Sequence, residues 1–349
     1  MLTRDEIAAW PKAELHVHLD GSLRPATMLD LERESGLHVL KADSVEAIEQ
    51  ALTGVDDAGS LEGYLAWFRL TIPLLQTTEA LSRAAFELAE DAAREHITYL
   101  EVRYSPLLHV EKGLTLEGVN EAVLEGLRAA ERVYPIRTGL ILCAVRGLPV
   151  EDSPRLARLA VAHHNRGVVA FDLAGPEAGF PARDHLAAFR MVRDHGLPVT
   201  VHAGESFGPA SVRQALFDLG AQRLGHGIRV LEDEDLLRYV VGHRVPLEIC
   251  PTSNVQTRVV PSFEAHPIKA LADAGVAVTI STDNRLFSRT TVTDELWLAH
   301  TRCGLTEFQV RDAAVNGFRH AFLPTEPRDR LVRAAEAAIF GLSASTPDS

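Results

Sequence analysis

A chain of 349 residues with 46% hydrophobic and 24% charged residues has enough apolar content to bury a sizeable core, which excludes the disordered classes. The formal net charge of −13, from 35 basic and 48 acidic residues without a basic run, argues against nucleic acid or an anionic membrane as a partner. The three cysteines, Cys143, Cys250 and Cys303, are far apart and free of C-x-x-C spacing, which disfavours disulfides and thiolate metal clusters and suits a reducing compartment.

The opening residues, Met1 to Ile7, contain no apolar signal core, and no segment approaches the roughly 18 unbroken apolar residues of a membrane span, so the cytoplasm is the expected location. Residues 14–21, Glu-Leu-His-Val-His-Leu-Asp-Gly, read as the first strand; His16 and His18, two apart, point to the same side of it. Residues 25–35 have helical spacing, and the acidic stretch that continues to Asp57 reads as a solvated surface. Residues 61–70 place apolar side chains at helical spacing in one aromatic-rich stripe, which taken alone describes a core-facing helix.

Strand and helix then alternate. Short apolar runs at 97–104, 138–145, 168–173, 199–202, 223–226, 246–250 and 276–281 bring the strand total to eight, and helical spacing fills the intervals at 80–96, 116–134, 153–165, 184–195, 210–219 and 266–274. Alternating units imply parallel pairing, and eight of them imply an α/β fold of the closed (β/α)8 barrel type. Residues 293–340 are helical in pattern and are expected outside the barrel, whereas 342–349 should fray. No linker or repeat divides the chain, so residues 1–349 are expected to form one catalytic domain.

In such barrels, functional side chains converge at the C-terminal ends of the strands. His16 and His18 end strand one, His202 ends strand five in Val-His-Ala-Gly-Glu205, His226 ends strand six in Gly-His-Gly, and Asp283 follows strand eight in Ser-Thr-Asp-Asn284. Each alone could be a hydrogen-bonded structural residue or a turn; five together at the ends of four strands point to a metal site. Imidazoles with a carboxylate suit zinc, and iron or manganese can occupy sites of this kind.

These motifs, in this order from Pro11 to about Asp294, resemble the adenosine deaminase family of metal-dependent hydrolases. The resemblance implies one zinc ion per chain held by His16, His18, His202 and Asp283, with Glu205 as proton donor to the purine ring and His226 orienting the hydrolytic water. It implies a helical lid after strand one, with Leu61, Tyr64, Leu65 and Phe68 lining the pocket. It also places the backbone N–H of Gly175 at purine N3, and Asp20 at the ribose 5′-hydroxyl. The implied activity is hydrolytic deamination of adenosine and 2′-deoxyadenosine in purine salvage, so the expected partner is a small purine nucleoside.

The chain departs from many members of that family at Asn284, where a second aspartate is usual and purine N7 is met; an asparagine amide can donate to N7 without titrating. Relatives acting on adenine or aminodeoxyfutalosine are the nearest alternatives, and a non-catalytic binding protein on the same scaffold is a further one. A two-metal phosphotriesterase-like barrel would want a bridging lysine, and no lysine lies at the end of a predicted strand.

Overall fold

The computed structural model describes residues 2–341, so the expected fraying of 342–349 lies outside the described residues. The eight strands are β1 (Lys12–His18), β2 (Ile97–Tyr104), β3 (Arg137–Val145), β4 (Val168–Ala174), β5 (Thr200–Ala203), β6 (Arg223–His226), β7 (Leu247–Ile249) and β8 (Val278–Ile280). They pair in parallel and in sequence order as β1–β4 and β5–β8. Single bridges join the two half-sheets at both seams. Phe171 pairs with Val199, and Val17 pairs with Asp283, whose N–H donates to the His16 carbonyl at 3.0 Å while its carbonyl accepts from the His18 N–H at 2.7 Å. A ring of parallel strands results, as the alternating pattern requires.

Helices wrap the ring, and each turns its apolar face inward. In the helix Thr78–Arg94 the buried residues Leu81, Ala84, Ala85, Leu88 and Ala92 recur at helical spacing, and the side chain of Thr77 caps the first turn by accepting from the Ala80 N–H. The neighbouring helix, Leu116–Val133, crosses it closely: a Cβ on Gly126 would lie 2.1 Å from the Ser82 carbonyl oxygen. Apolar burial continues through one connected cluster. No helix among the described residues is long and apolar enough to cross a membrane.

Several boundaries differ from expectation, and two of them bear on the site. The first strand starts at Lys12 and ends at His18, because the chain turns directly beyond it, with the Ser22 N–H donating to the Leu19 carbonyl at 3.2 Å. Asp20 therefore projects from a turn. The segment expected as one helix over 61–70 is α-helical only over Leu61–Leu65, tightens to 3-10 over Ala66–Leu70, and resumes as a 3-10 turn at Ile72–Leu74. Pro73 stops any α-helix from running on past this segment, since it has no N–H for the Arg69 carbonyl, but the tightening at Ala66 lies outside its reach.

The barrel interior is charged where many barrels are aliphatic. Arg103 donates to Asp172 at 3.0 Å and to Glu248 at 2.8 Å, and Arg223 donates to Glu248 at 2.6 Å, all four side chains being fully buried or nearly so. Each buried charge has an opposite partner, as burial demands.

Candidate active site

The strand ends deliver five donors to one place. One ligand atom each from His16, His202, His226 and Asp283 lies within 4.8 Å of the others. His18 adjoins the same group, its Nε2 3.2 Å from His202 Nε2 and 3.4 Å from Asp283 Oδ1. Local backbone geometry makes this convergence possible. His226 and Asp283 sit in the left-handed region at φ 61° and 64°, a conformation that non-glycine residues rarely adopt and that turns both side chains inward as their strands end. Gly225 leaves room for the cluster, because a Cβ there would lie 3.0 Å from His16 Cε1 and 3.2 Å from His202 Cα.

Hydrogen bonds behind the cluster set the ring tautomers. His16 Nδ1 lies 2.9 Å from Glu248, and His202 Nδ1 lies 3.0 Å from Asp172. A carboxylate can only accept, so each Nδ1 carries a proton, and in a neutral ring this leaves the Nε2 lone pair turned inward. Burial would push the carboxyls of Asp172 and Glu248 up, but His202 and Arg103 beside the first, and Arg103 and Arg223 beside the second, hold them well below the usual carboxylate range. Burial lowers the proton affinity of His202 and brings His18 down to about 3, leaving both rings neutral. His16 differs: burial lowers its proton affinity, but Asp283, 3.3 Å from its Nε2, and Glu248 raise it overall, so a bound cation would take the place of a proton there. Inward-facing imidazoles beside an ionised Asp283 form a donor set that fits a divalent cation of the zinc class.

Glu205 follows β5 and is buried, with Oε2 3.7 Å from His226 Nε2. Burial first, then the negative charges of Asp283 and Glu177, push its carboxyl well above the usual range. Its acid form is thereby favoured, in a chain segment that is itself pinned. Glu177 accepts from the backbone N–H groups of Gly204 at 2.8 Å, Glu205 at 2.8 Å and Ser206 at 2.9 Å.

Beside these groups lies a cavity of about 210 Å³, lined by His18, Asp20, Leu61, Tyr64, Leu65, Phe68, Gly175 and Asn284 together with Glu205, His202, His226 and Asp283. All the residues assigned to substrate from the sequence thus share one cavity, and among the described residues no lysine or arginine lines it. The lid supplies the apolar wall: Leu61 and Tyr64 are buried, Leu65 and Phe68 half-buried, and Phe68 packs edge-on against Phe287 with ring centroids 5.0 Å apart. Asp20 Oδ1 and Ser105 Oγ, both from lining residues, are buried without a hydrogen-bond partner among the described residues. Gly21 packs against Asn284 so closely that a Cβ would fall 1.8 Å from Asn284 Oδ1.

Sequence reasoning missed Asp172, Glu248, Arg103 and Glu177. A signal existed for the first three: Asp172 and Glu248 are each the lone charge within a short apolar strand run, and Arg103 shares its run with one other charge, Glu101, where burial without a partner is prohibitive. Glu177 follows Gly175-Pro176 in an ordinary loop composition and had no such signal.

A family model described as adenosine deaminase matches residues 11–337. The chain is 40% identical over 361 residues to an adenosine deaminase of Mycobacterium tuberculosis, covering 98% of each chain. It is 42% identical over 340 residues to adenosine deaminase 1 of Streptomyces coelicolor, covering 93% of this chain and 85% of that one. Among solved structures, an Arabidopsis N6-mAMP deaminase matches at TM-score 0.84 and 29% identity, over 95% of this chain and 99% of that one. A Burkholderia amidohydrolase with bound zinc has the same fold at TM-score 0.90 and 23% identity, over 98% of this chain and 94% of that one.

Proposed function

Because the chain belongs to the adenosine deaminase family, we propose that it hydrolyses adenosine and 2′-deoxyadenosine to inosine and 2′-deoxyinosine with release of ammonia, as a purine-salvage enzyme of one catalytic domain. His16, His18, His202 and Asp283 would hold one zinc ion per chain. The chemistry such an ion supplies is water activation, since the pKa of a coordinated water falls from about 15.7 toward 7. The three free and buried cysteines support a reducing compartment, and we assign the protein to the cytoplasm.

The protein's own groups account for the rest. Purine C6 resists attack until N1 takes a proton, and Glu205 is the buried acid able to give it, because burial and the charges of Asp283 and Glu177 favour its protonated form. His226 stands beside Glu205 and orients the attacking water. Gly175 N–H meets N3 and the Asn284 amide meets N7, which fixes the ring in its plane. Asp20 accepts the sugar's 5′-hydroxyl. Leu61, Tyr64, Leu65 and Phe68 cover the ring and exclude bulk water, so that the acid and the ring nitrogen meet in a medium of low dielectric.

The observation that carries this reading is a buried Glu205, its carboxyl pushed well above the usual range, facing a histidine–aspartate cluster across one cavity. Buried Asp20 favours a nucleoside over the free base, and a cavity with no lysine or arginine lining it among the described residues disfavours a 5′-phosphate. Ultraviolet absorbance decay across adenosine, 2′-deoxyadenosine, adenine, AMP and aminodeoxyfutalosine tests it. Both nucleosides should react fastest; a preference for adenine or AMP would overturn the assignment.

A further inference from the structure

Proximity alone would admit His226 to the metal-binding group, since its ligand atom lies within 4.8 Å of those of His16, His202 and Asp283. Its hydrogen bonds say otherwise. His226 Nδ1 lies 3.1 Å from Asn254 Nδ2, Asn254 Oδ1 lies 3.2 Å from His266 Nε2, and His266 Nδ1 lies 3.1 Å from the Ile268 backbone nitrogen. These three side chains are buried. A backbone N–H can only donate, so His266 Nδ1 must accept. Burial keeps His266 neutral, lowering its pKa to about 4, so its one proton sits on Nε2 and is donated to Asn254 Oδ1. The amide is thereby oriented with its NH2 toward His226, whose Nδ1 must accept in turn. The proton of neutral His226 is left on Nε2, the nitrogen that faces Glu205 at 3.7 Å. Flipping the amide would require His266 to carry its proton on Nδ1, against the Ile268 N–H.

His16 and His202 are arranged the other way, with Nδ1 donating to carboxylates and Nε2, the nitrogen a metal would take, turned inward. One cluster therefore contains imidazoles of two kinds. We infer that Asn254 and His266 are positioning residues that hold His226 as an N–H donor at its inward nitrogen, which keeps it out of the metal's ligand set and aims the N–H at the attacking water. The role of that N–H rests on the hydrolytic reading above, whereas the tautomer can be measured without turnover.

The test is long-range ¹H–¹⁵N correlation NMR of histidine-labelled protein, as purified and after metal removal, with the His226 ring assigned by its loss in His226→Gln. The proton should be on Nε2 in both states. Asn254→Asp offers only acceptors, takes an N–H from both rings, and should move the His226 proton to Nδ1. Turnover of adenosine should then fall by about 10²-fold, while chelator competition shows the metal held no more weakly. His266→Gln, which can still offer an N–H to Asn254, should keep the wild-type tautomer and serves as the second variant if Asn254→Asp does not fold. A wild-type proton on Nδ1, or an unchanged tautomer in Asn254→Asp, would overturn the inference. If the wild type shows the Nε2 proton but does not turn over adenosine, the deaminase reading fails and the relay stands.

Discussion

Glu177→Gln perturbs the site without replacing a proposed metal ligand or a group that meets the substrate. In the native protein, one carboxylate oxygen of Glu177 accepts from Gly204 N–H at 2.8 Å and the other accepts from the N–H groups of Glu205 at 2.8 Å and Ser206 at 2.9 Å. Glutamine has one oxygen. In its better orientation it keeps the pair from Glu205 and Ser206, now without charge assistance, and sets its NH2 against the Gly204 N–H. Losing one bond to a charged acceptor and weakening two more should cost about 3 kcal/mol in a buried site, given roughly 1.5–3 kcal/mol per charge-assisted bond. A second effect has a definite sign. Glu177 is one of the negative charges that raise the Glu205 pKa, after burial and Asp283. Glu205 works in its acid form, so activity is lost as pH rises through its pKa; removing the Glu177 charge lowers that pKa and moves the alkaline limb of kcat to lower pH. Urea denaturation followed by tryptophan fluorescence measures the first effect, and a kcat–pH profile the second. Stability within 0.5 kcal/mol of wild type together with an unmoved alkaline limb would refute the reasoning, since surface substitutions away from special features fall within about that range.

Asp172→Asn should weaken metal binding by about 10–100-fold in chelator competition, because it removes the charged acceptor of His202 Nδ1; unchanged affinity would free Asp172 of that role. Phe68→Ala should raise KM for adenosine by about tenfold while costing less than the ~3–5 kcal/mol of a fully buried phenylalanine, because Phe68 is only half-buried and lines the cavity. A full core-sized stability loss with no selective kinetic defect would make it a packing residue. Glu295 is buried, and its carboxyl is pushed up from 4.5 to about 7, chiefly by burial. The folded state therefore holds this proton more tightly than the unfolded one, and its contribution to stability, about 3 kcal/mol, is full below the unfolded pKa and is lost as pH rises through 7. Urea midpoints between pH 4.5 and 8 should show that decline, and Glu295→Gln should flatten it; parallel curves for the two proteins would contradict the assignment.

Much of this architecture was legible because each strand is a short apolar run with a turn at each end, and the alternation leaves a parallel ring as the economical closure. His16-x-His18, Val-His202-Ala-Gly-Glu205, Gly-His226-Gly and Thr-Asp283-Asn284 were visible because polar residues at strand ends stand out against those runs. What could not be read was partnership across the ring. Arg103 reaches Glu248 over a sequence separation of 145 residues, and Asp172 meets His202 only once β4 and β5 are set side by side across a seam. The same holds for the order Ile268, His266, Asn254, His226, in which the direction of each hydrogen bond follows from the one before. The break in the lid was different in kind: Pro73 was in view, but the aromatic stripe over 61–70 fits a continuous helix equally well until the backbone is built.

The central claim is that Glu205, as a buried acid, protonates the purine ring within a metal-bearing cavity. Its most direct test is turnover of adenosine by zinc-loaded Glu205→Gln beside wild type, with binding followed by calorimetry. An amide can hydrogen-bond ring N1 but cannot protonate it, so turnover should fall at or beyond the upper end of the about 10²- to 10⁴-fold typical of general acid catalysis while the nucleoside still binds. A variant that retains a tenth of wild-type turnover would contradict the claim.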